Sequence, residues 1–380
     1  SFEKLEVFGN VPLPRFGQAL HPTLRAKSVS LEEPQEQPDS SPSLTIPTLL
    51  TWPTNSGKRS KVNLINLASG TSPSARAAHG AVCIEPYKIV IFGGATGSGG
   101  LASDDLYHLD IRDGVGVWNV INVSHKTPGK RYGHTFSYTK PYLIVFGGNI
   151  GEKSVNDVDF KYSETTPRLA VSKGEGEAPS PRVYHSAALC QSGTAAGMIV
   201  VFGGRGLDNN PLGDSWGLRR HRKGHWDWVK APEKSTPMSR YQHSSIFVGS
   251  LMLVIGGRTN NVSEQLPLEV FDHKQVMDRV QQFAKVQMWY RFHENFINIY
   301  GGFDLATPNV PTDSIYRINL MGLFANHQHL KLKLTSLKPL ESSSEDNTRP
   351  NSSDSRSPNT PNTPVMKGNS SSSSRPITKE

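Results

Sequence analysis

The stretch SRYQHSSIFVGSLMLVIGG, Ser239–Gly257, contains a short polar motif, here called the slot, before two apolar runs. The slot is Arg240-x-x-His243, and the second run ends at the pair Gly256-Gly257. The slot recurs along the chain at intervals of 39 to 61 residues, with His or Gln as its last member. Such a period indicates one supersecondary unit repeated along the chain. The slots are Arg15…Gln18, Arg76…His79, Arg131…His134, Arg182…His185, Arg240…His243 and Arg279…Gln282.

Five glycine pairs each end an apolar run that is rich in branched and aromatic residues. Such runs predict inner strands that are packed on both faces. After each pair comes a polar loop and a third strand, and tryptophans mark a fourth strand around Trp118 and Trp226. Four strands in a repeat of about fifty residues are typical of a kelch β-propeller blade. The pairs begin at Gly93, Gly147, Gly203, Gly256 and Gly301.

Six slots predict an all-β fold, a six-bladed kelch β-propeller over residues 1–325. The first repeat lacks its glycine pair, and the fifth shows no tryptophan-bearing strand before Arg279. FEKLEVFGNVPLPRFGQ near the N-terminus has the form of a fourth strand followed by a first strand. We therefore expect an N-terminal strand at about Phe2–Phe8 to complete the last blade and to leave no open edge at the seam.

Residues 326–380 predict a Ser/Pro-rich linker with a disordered C-terminal tail, because this composition cannot bury a core. The linker contains three Ser-Pro or Thr-Pro dipeptides, which suggest proline-directed phosphorylation at Ser357, Thr360 and Thr363.

Charge and hydropathy exclude some classes of protein. The mean hydropathy is −0.44, and no run of eighteen apolar residues occurs, so we expect no membrane association. Two cysteines in hydrophobic surroundings and the lack of a signal pattern favour a reducing compartment, cytoplasmic and/or nuclear. The formal net charge of +8 is compatible with acidic or phosphorylated partners. Nucleic acid binding is not expected, because the aromatics occupy strand positions rather than alternating with basic residues on one face.

We expect no catalytic residue, metal site or cofactor in this chain. Gly213-Asp214 resembles the start of a metal-binding Gly-Asp-x-His motif but lacks the histidine. An enzyme of epimerase or lyase type in the propeller channel is one alternative, and its candidate carboxylates would be Asp208, Glu264 and Asp304. A stand-alone kelch adaptor is the other alternative, and it requires a further domain.

The segment PLGDSWGLRRHRKGHWDWVKAPEKSTPMSRYQHSSIFVG, Pro211–Gly249, resembles a blade of the Ser/Thr protein phosphatases with kelch-like repeats, a plant and apicomplexan family. PSARAAHGAV, DDLYHLD and GKRYGHTFSY are similar to its earlier blades, and the resemblance extends over about residues 2–320. The resemblance implies that the chain is the propeller and the beginning of the linker toward a phosphatase domain. That domain would bind two metal ions, such as manganese. The propeller would select partners or restrain catalysis.

Resemblance to peptide-binding kelch domains implies that the residue after each glycine pair faces a shallow bowl at one end of the channel. These residues are Asn149, Arg205 and Arg258, and the slots place three tyrosines nearby. Arginines beside aromatics suit acidic peptides or phosphopeptides, so protein partners are expected here. The tyrosines are Tyr132, Tyr184 and Tyr241.

A second basic patch lies in the turn between two strands of the fourth repeat. It could dock an acidic partner or the chain's own phosphatase domain. Its residues are Arg219, Arg220, Arg222 and Lys223.

Overall fold

The computed structural model describes most of the chain between Ala68 and Thr335, together with short strands before it. In residues 2–64 and 272–311 it describes backbone pairing with few side chains. The described residues are 2–5, 20–23, 27–30, 48–51, 63–64, 68–85, 88–112, 115–123, 127–159, 177–232, 237–261, 264, 266–272, 275–282, 285–286, 289–293, 296–300, 302–304, 307–311 and 315–335.

The fold is an all-β propeller, in which successive antiparallel sheets follow one another along the chain. The first repeat forms β2 (Leu20–Thr23), β3 (Lys27–Ser30), β4 (Thr48–Thr51) and β5 (Asn63–Leu64). The second forms β7 (Gly80–Glu85), β8 (Lys88–Phe92), β9 (Leu106–Arg112) and β10 (Val115–Ile121). The third forms β11 (Thr135–Thr139), β12 (Tyr142–Phe146) and β13 (Val158–Asp159).

The later repeats continue this order of strands. The fourth forms β14 (Ser186–Leu189), β15 (Ile199–Phe202), β16 (Ser215–Arg220) and β17 (Trp226–Lys230). The fifth forms β18 (Ser244–Val248), β19 (Leu251–Ile255), β20 (Pro267–Asp272) and β21 (Gln275–Gln282). The last forms β23 (Trp289–His293), β24 (Phe296–Tyr300) and β27 (Ile315–Asn319) with β1 (Phe2–Leu5), and a small sheet joins β22 (Lys285–Val286), β25 (Phe303–Asp304) and β26 (Thr307–Pro311).

The core lies between the faces of neighbouring sheets. Strands β12, β15 and β19 are buried along their whole length, as their uninterrupted apolar sequences predict. One cluster joins β12 to the fourth sheet through Phe146, Trp216 and Trp228. Another joins β15 to the fifth sheet through Phe202 and Phe271. The third and fourth sheets therefore each bury their two apolar faces against different neighbours.

The N-terminal strand pairs with the last sheet, as the sequence predicts. Strand β1 lies antiparallel to β27, with Phe2 opposite Ile318 and Leu5 opposite Ile315. The two ends of the propeller sequence therefore share one sheet. The count of six blades stays a prediction.

Two features differ from the sequence expectation. The sixth slot, Arg279…Gln282, lies inside β21, the fourth strand of the fifth sheet. There Arg279 is opposite Glu269 of β20 in the strand register. The last sheet instead begins at β23, so the match at Arg279 is coincidental and the fifth repeat does have a fourth strand. An additional strand, β6 (Ala68–Gly70), pairs in parallel with β10.

The segment after β27 is helical. It forms α1 (Leu320–Leu323) and α2 (Gln328–Thr335), and Leu330 on α2 is fully buried in the core. The chain divides into two compact units, Ser1–Pro339 and Leu340–Glu380. The second unit, which contains Ser357, Thr360 and Thr363, lies outside the described residues. Within the described part of the chain, neither helix has the length and apolarity that crossing a bilayer requires.

Candidate partner-binding site

In the second to fifth blades the slot arginine is buried and forms hydrogen bonds within its own blade. Arg182 has no exposed surface, and its guanidinium donates to the Gly203 carbonyl at 3.1 Å and to both oxygens of Asp214 at 2.8 Å. Such a bidentate, charge-assisted contact satisfies the arginine and a carbonyl that no sheet ladder reaches. Asp214, which resembled part of a metal motif, is thus the partner of an arginine. Arg131 makes the same bidentate contact with Asp157, and Arg240 donates to Glu269 at 2.6 Å.

The glycine pair lets the next blade approach closely. A Cβ on Gly203 would lie 2.6 Å from the carbonyl oxygen of Arg240, and its φ is +63°. The following residue, Gly204, donates its N–H to that carbonyl at 2.9 Å. Glycine is required here because any other side chain would push the two blades apart.

A chain of hydrogen bonds then links successive blades through the third slot residue. The Gly133 N–H donates to Ala78, the Tyr184 N–H to Gly133, and the Gln242 N–H to Tyr184. Tyr184 and Gln242 adopt φ of 59° and 55°, a region that non-glycine residues rarely occupy. These contacts hold Tyr184 in a fixed and strained conformation beside the channel.

The residue after each glycine pair forms a short bridge to the second slot residue. Tyr132 pairs with Asn149, Val183 with Arg205, and Tyr241 with Arg258. The same backbone register therefore places these residues at equivalent positions in neighbouring blades.

The arrangement places all six predicted residues in one group, which we call the mouth cluster: Asn149, Arg205, Arg258, Tyr132, Tyr184 and Tyr241. The Arg205 guanidinium carbon lies 5.8 Å from the ring centre of Tyr184 and 5.7 Å from that of Tyr241. The Arg258 guanidinium carbon lies 5.2 Å from the same Tyr241 ring. All three distances are those of cation–π contacts. Tyr132 extends the group, with its ring centre 5.9 Å from that of Tyr184.

The charge of the mouth cluster is uncompensated within the part of the chain that the structure describes. No carboxylate there forms a salt bridge with Arg205 or Arg258, and their buried Nε atoms have no hydrogen-bond partner. Burial raises the pKa of Tyr184, and Tyr132 adds to this rise, whereas Arg205 and Arg258 oppose it. Both arginines therefore act electrostatically on Tyr184.

The rim of the mouth carries exposed apolar side chains on the same loops. Leu207 is 63% exposed and lies two residues after Arg205, while Ile150 is 37% exposed and directly follows Asn149. The Asn149 side chain accepts from Gly151 N–H at 2.8 Å, which commits its oxygen to the local turn. A charged centre with exposed apolar residues beside it is typical of a protein-binding surface.

The second basic patch is partly neutralised. Arg219 donates to both carboxylate oxygens of Asp227, at 3.1 and 2.6 Å, and this contact lowers the pKa of Asp227 to about 2. Arg220 lies over the Tyr142 ring at 4.5 Å. Arg222 and Lys223 are exposed at the turn.

The carboxylates proposed for a channel enzyme serve local turns in the described loops. Asp208 accepts from the Asn210 amide at 2.8 Å, and Glu264 accepts from the Thr259 hydroxyl at 2.6 Å. The side chain of Asp304 lies outside the described residues.

Sequence reasoning missed the carboxylate partners of the slot arginines and the buried Gln242, whose side-chain oxygen has no partner among the described residues. The sequence does carry a signal for the carboxylate partners. In the third, fourth and fifth repeats an acidic residue lies ten to thirteen residues after the first glycine of the pair. The acids are Asp157, Asp214 and Glu269.

Comparison with known proteins identifies relatives over about half of the chain. The serine/threonine-protein phosphatase BSL2 of Arabidopsis thaliana is 36% identical over 190 residues, which are 50% of this chain and 18% of that protein. Host cell factor 2 of Homo sapiens is 30% identical over 50% of this chain and 25% of its own length. An F-box/kelch-repeat protein of Arabidopsis thaliana is 27% identical over 60% of this chain and 47% of its own length. The chain thus spans less than half the length of each.

A solved structure and a family model also match this chain. The solved structure of YjhT superposes with a TM-score of 0.61 at 12% identity and covers 81% of this chain and 96% of its own, a likeness of fold alone. The model of the KLHDC2/KLHL20/DRC7 kelch-repeats domain matches residues 49–257. This chain therefore belongs to the KLHDC2/KLHL20/DRC7 kelch-repeat domain family.

Proposed function

We propose that this chain is the partner-recognition propeller of a Ser/Thr protein phosphatase, and that the mouth cluster is the surface that receives protein partners. Kelch repeats mediate protein interaction. The observation that carries the proposal is the pair Arg205 and Arg258, which share the Tyr241 ring and have no carboxylate partner among the described residues. Charged groups held without an internal partner are available to an external one.

The surroundings of the pair support a protein as the partner. Leu207 and Ile150 supply exposed apolar surface beside it, and Tyr184 and Tyr241 supply rigid aromatic surface. Aromatic and arginine side chains dominate binding energy at protein interfaces, with apolar neighbours that exclude water.

The link to a phosphatase is supported by the 36% identity to BSL2 across the repeats. In this proposal the catalytic domain, with two metal ions such as manganese, lies in the larger protein, and the propeller selects its substrates or restrains it. The same proposal places the protein in the cytoplasm, the nucleus or both. Purified chain supplied with manganese and a phosphopeptide should release no phosphate, and measurable turnover would contradict the non-catalytic role.

A stand-alone adaptor is the second candidate function, favoured by the similarity to an F-box/kelch-repeat protein. The mouth cluster would serve both functions in the same way. The coding sequence beyond Glu380 distinguishes them, because only the first requires phosphatase metal motifs there.

Site-directed photo-crosslinking in cell extract tests the location of the surface. A benzophenone amino acid at the position of Leu207 should cross-link to partner proteins, because that side chain lies on the rim of the mouth. The matched probe at Arg222, exposed on the turn of the fourth sheet, should give none of the same products. Identical products from both positions, or products from Arg222 alone, would overturn the assignment.

A further inference from the structure

Three of the slot arginines differ in charge compensation from the two arginines that follow glycine pairs. Arg131, Arg182 and Arg240 are buried and each contacts a carboxylate of its own blade. Arg205 and Arg258 have aromatic neighbours instead, and no carboxylate of the described residues contacts them. The first set serves the fold, and the second is left with two positive charges around one tyrosine ring.

We propose that Arg205 and Arg258 together hold one phosphate monoester group of a phosphorylated protein partner. This inference rests on the proposed function, since it specifies what the mouth cluster recognises.

Charge is the first argument. Two guanidiniums within cation–π distance of one ring repel each other, and a shared anion relieves that repulsion. A phosphate monoester carries about −1.5 to −2 charges at pH 7, which matches the pair, whereas a single carboxylate carries one. Its three oxygens also offer acceptors to two planar donor forks at once.

Pre-organisation is the second argument. Backbone bridges hold Arg205 to Val183 and Arg258 to Tyr241, and both guanidiniums pack against the Tyr241 ring. The N–H of Gln242 is bonded to Tyr184, so the two blades that carry the arginines are tied together beneath the site. A site that is already assembled loses little conformational entropy when the anion binds.

Unpartnered polar atoms are the third argument. The Nε atoms of both arginines and the Oε1 atom of Gln242 are buried without a hydrogen-bond partner among the described residues. Gln242 itself is only 9% exposed and adjoins Tyr241 in the chain. Buried polar groups are normally satisfied, so unsatisfied atoms on both arginines and on the residue next to Tyr241 point to a bound polar ligand.

Calorimetric titration with defined peptides tests the inference. The probes are a phosphoserine peptide with neutral flanking residues, the same peptide with serine, and the same peptide with two adjacent glutamates. The variants are R205Q/R258Q, which preserves polar side chains of similar length, and the matched control K88Q/K140Q, which removes the same charge at the ends of β8 and β12 opposite to their glycine pairs.

The phosphoserine peptide should bind the wild type and the control alike, and at least about tenfold more tightly than either other peptide. R205Q/R258Q should lose at least about tenfold in affinity for it. Equal binding of the phosphorylated and unphosphorylated peptides by the wild type would overturn the inference without any variant. Preference for the glutamate peptide would assign the site to acidic segments instead.

Cross-linking from the rim distinguishes failure of the phosphate inference from failure of the proposed function. If the rim cross-links partner proteins but phosphatase treatment of the extract leaves the products unchanged, the mouth is a binding surface and the phosphate inference is wrong. If the probe on the rim gives no specific product, the proposed function itself is wrong.

Discussion

Arg182 donates both arms of its guanidinium to Asp214, each at 2.8 Å, with no exposed surface on the arginine side chain. The contact ties the start of the fourth blade to its third strand. Because Arg182 cannot be solvated, Asp214→Asn leaves a buried charge without its counter-ion.

We expect Asp214→Asn to lower the free energy of unfolding by roughly 3 kcal/mol, the effect of removing one partner from a buried pair. Urea unfolding measures it. Asp208→Asn, at an exposed loop position, is the control and should leave the transition unchanged. An unchanged midpoint for Asp214→Asn would show that the pair does not fasten the blade.

Close approach at the glycine pair gives a second prediction. Gly203→Ala places a methyl group 2.6 Å from the Arg240 carbonyl and imposes φ of +63° on alanine. Gly224→Ala imposes a φ of +91° with nothing within 4 Å, so it isolates the backbone term. We expect a loss of about 1–2 kcal/mol for Gly224→Ala and a clearly larger loss for Gly203→Ala. Equal losses in urea unfolding would mean that the blades can separate at no cost.

Closure by the N-terminal strand gives a third prediction. Deleting Ser1–Leu5 removes β1 from the last sheet and exposes the edge of β27. The melting temperature should fall by several degrees, because a strand and its packing are lost. A synthetic peptide of residues 1–10 added in excess should restore it, whereas a scrambled peptide should not. A deletion variant that melts like the wild type would mean that β1 contributes nothing to closure.

The slot histidines give a fourth prediction, on pH. Burial, and next the nearby arginine, lower the pKa of His134 and of His243 to about 3 in the folded protein. The unfolded chain therefore binds these protons first as the pH falls below about 6.5, and stability is lost progressively from there toward pH 3. Each histidine contributes a slope of about 1.4 kcal/mol per pH unit in that range.

Urea unfolding at several pH values between 7 and 5 measures this slope. His243→Gln should flatten it by about one histidine's share. An identical slope for His243→Gln would mean that the folded protein binds the His243 proton as readily as the unfolded chain does.

Much of the fold was predictable because the slot, the apolar runs and the glycine pair recur along the chain. Inner strands such as Tyr142–Phe146 show as unbroken apolar runs because both faces are covered. The mouth cluster was predictable for the same reason, since one backbone register places Asn149, Arg205 and Arg258 equivalently.

What failed to be predicted depends on tertiary contacts. Arg279 matched the slot by coincidence and lies within β21, where only strand pairing reveals its place. Strand β6 has no strand-like sequence and exists through its pairing with β10. The pairing of Arg219 with Asp227 arises from their cross-strand register, which removes part of the predicted basic patch.

In the proposed function, Arg205 and Arg258 bind the partner and do not hold the fold. The affinity of R205A/R258A for a partner cross-linked at the mouth, measured beside its thermal melt and with K88A/K140A as control, separates these roles. We expect a loss of at least about 2 kcal/mol in binding, with the melting temperature of the double variant close to that of the wild type. Retained binding with a lowered melting temperature would contradict it.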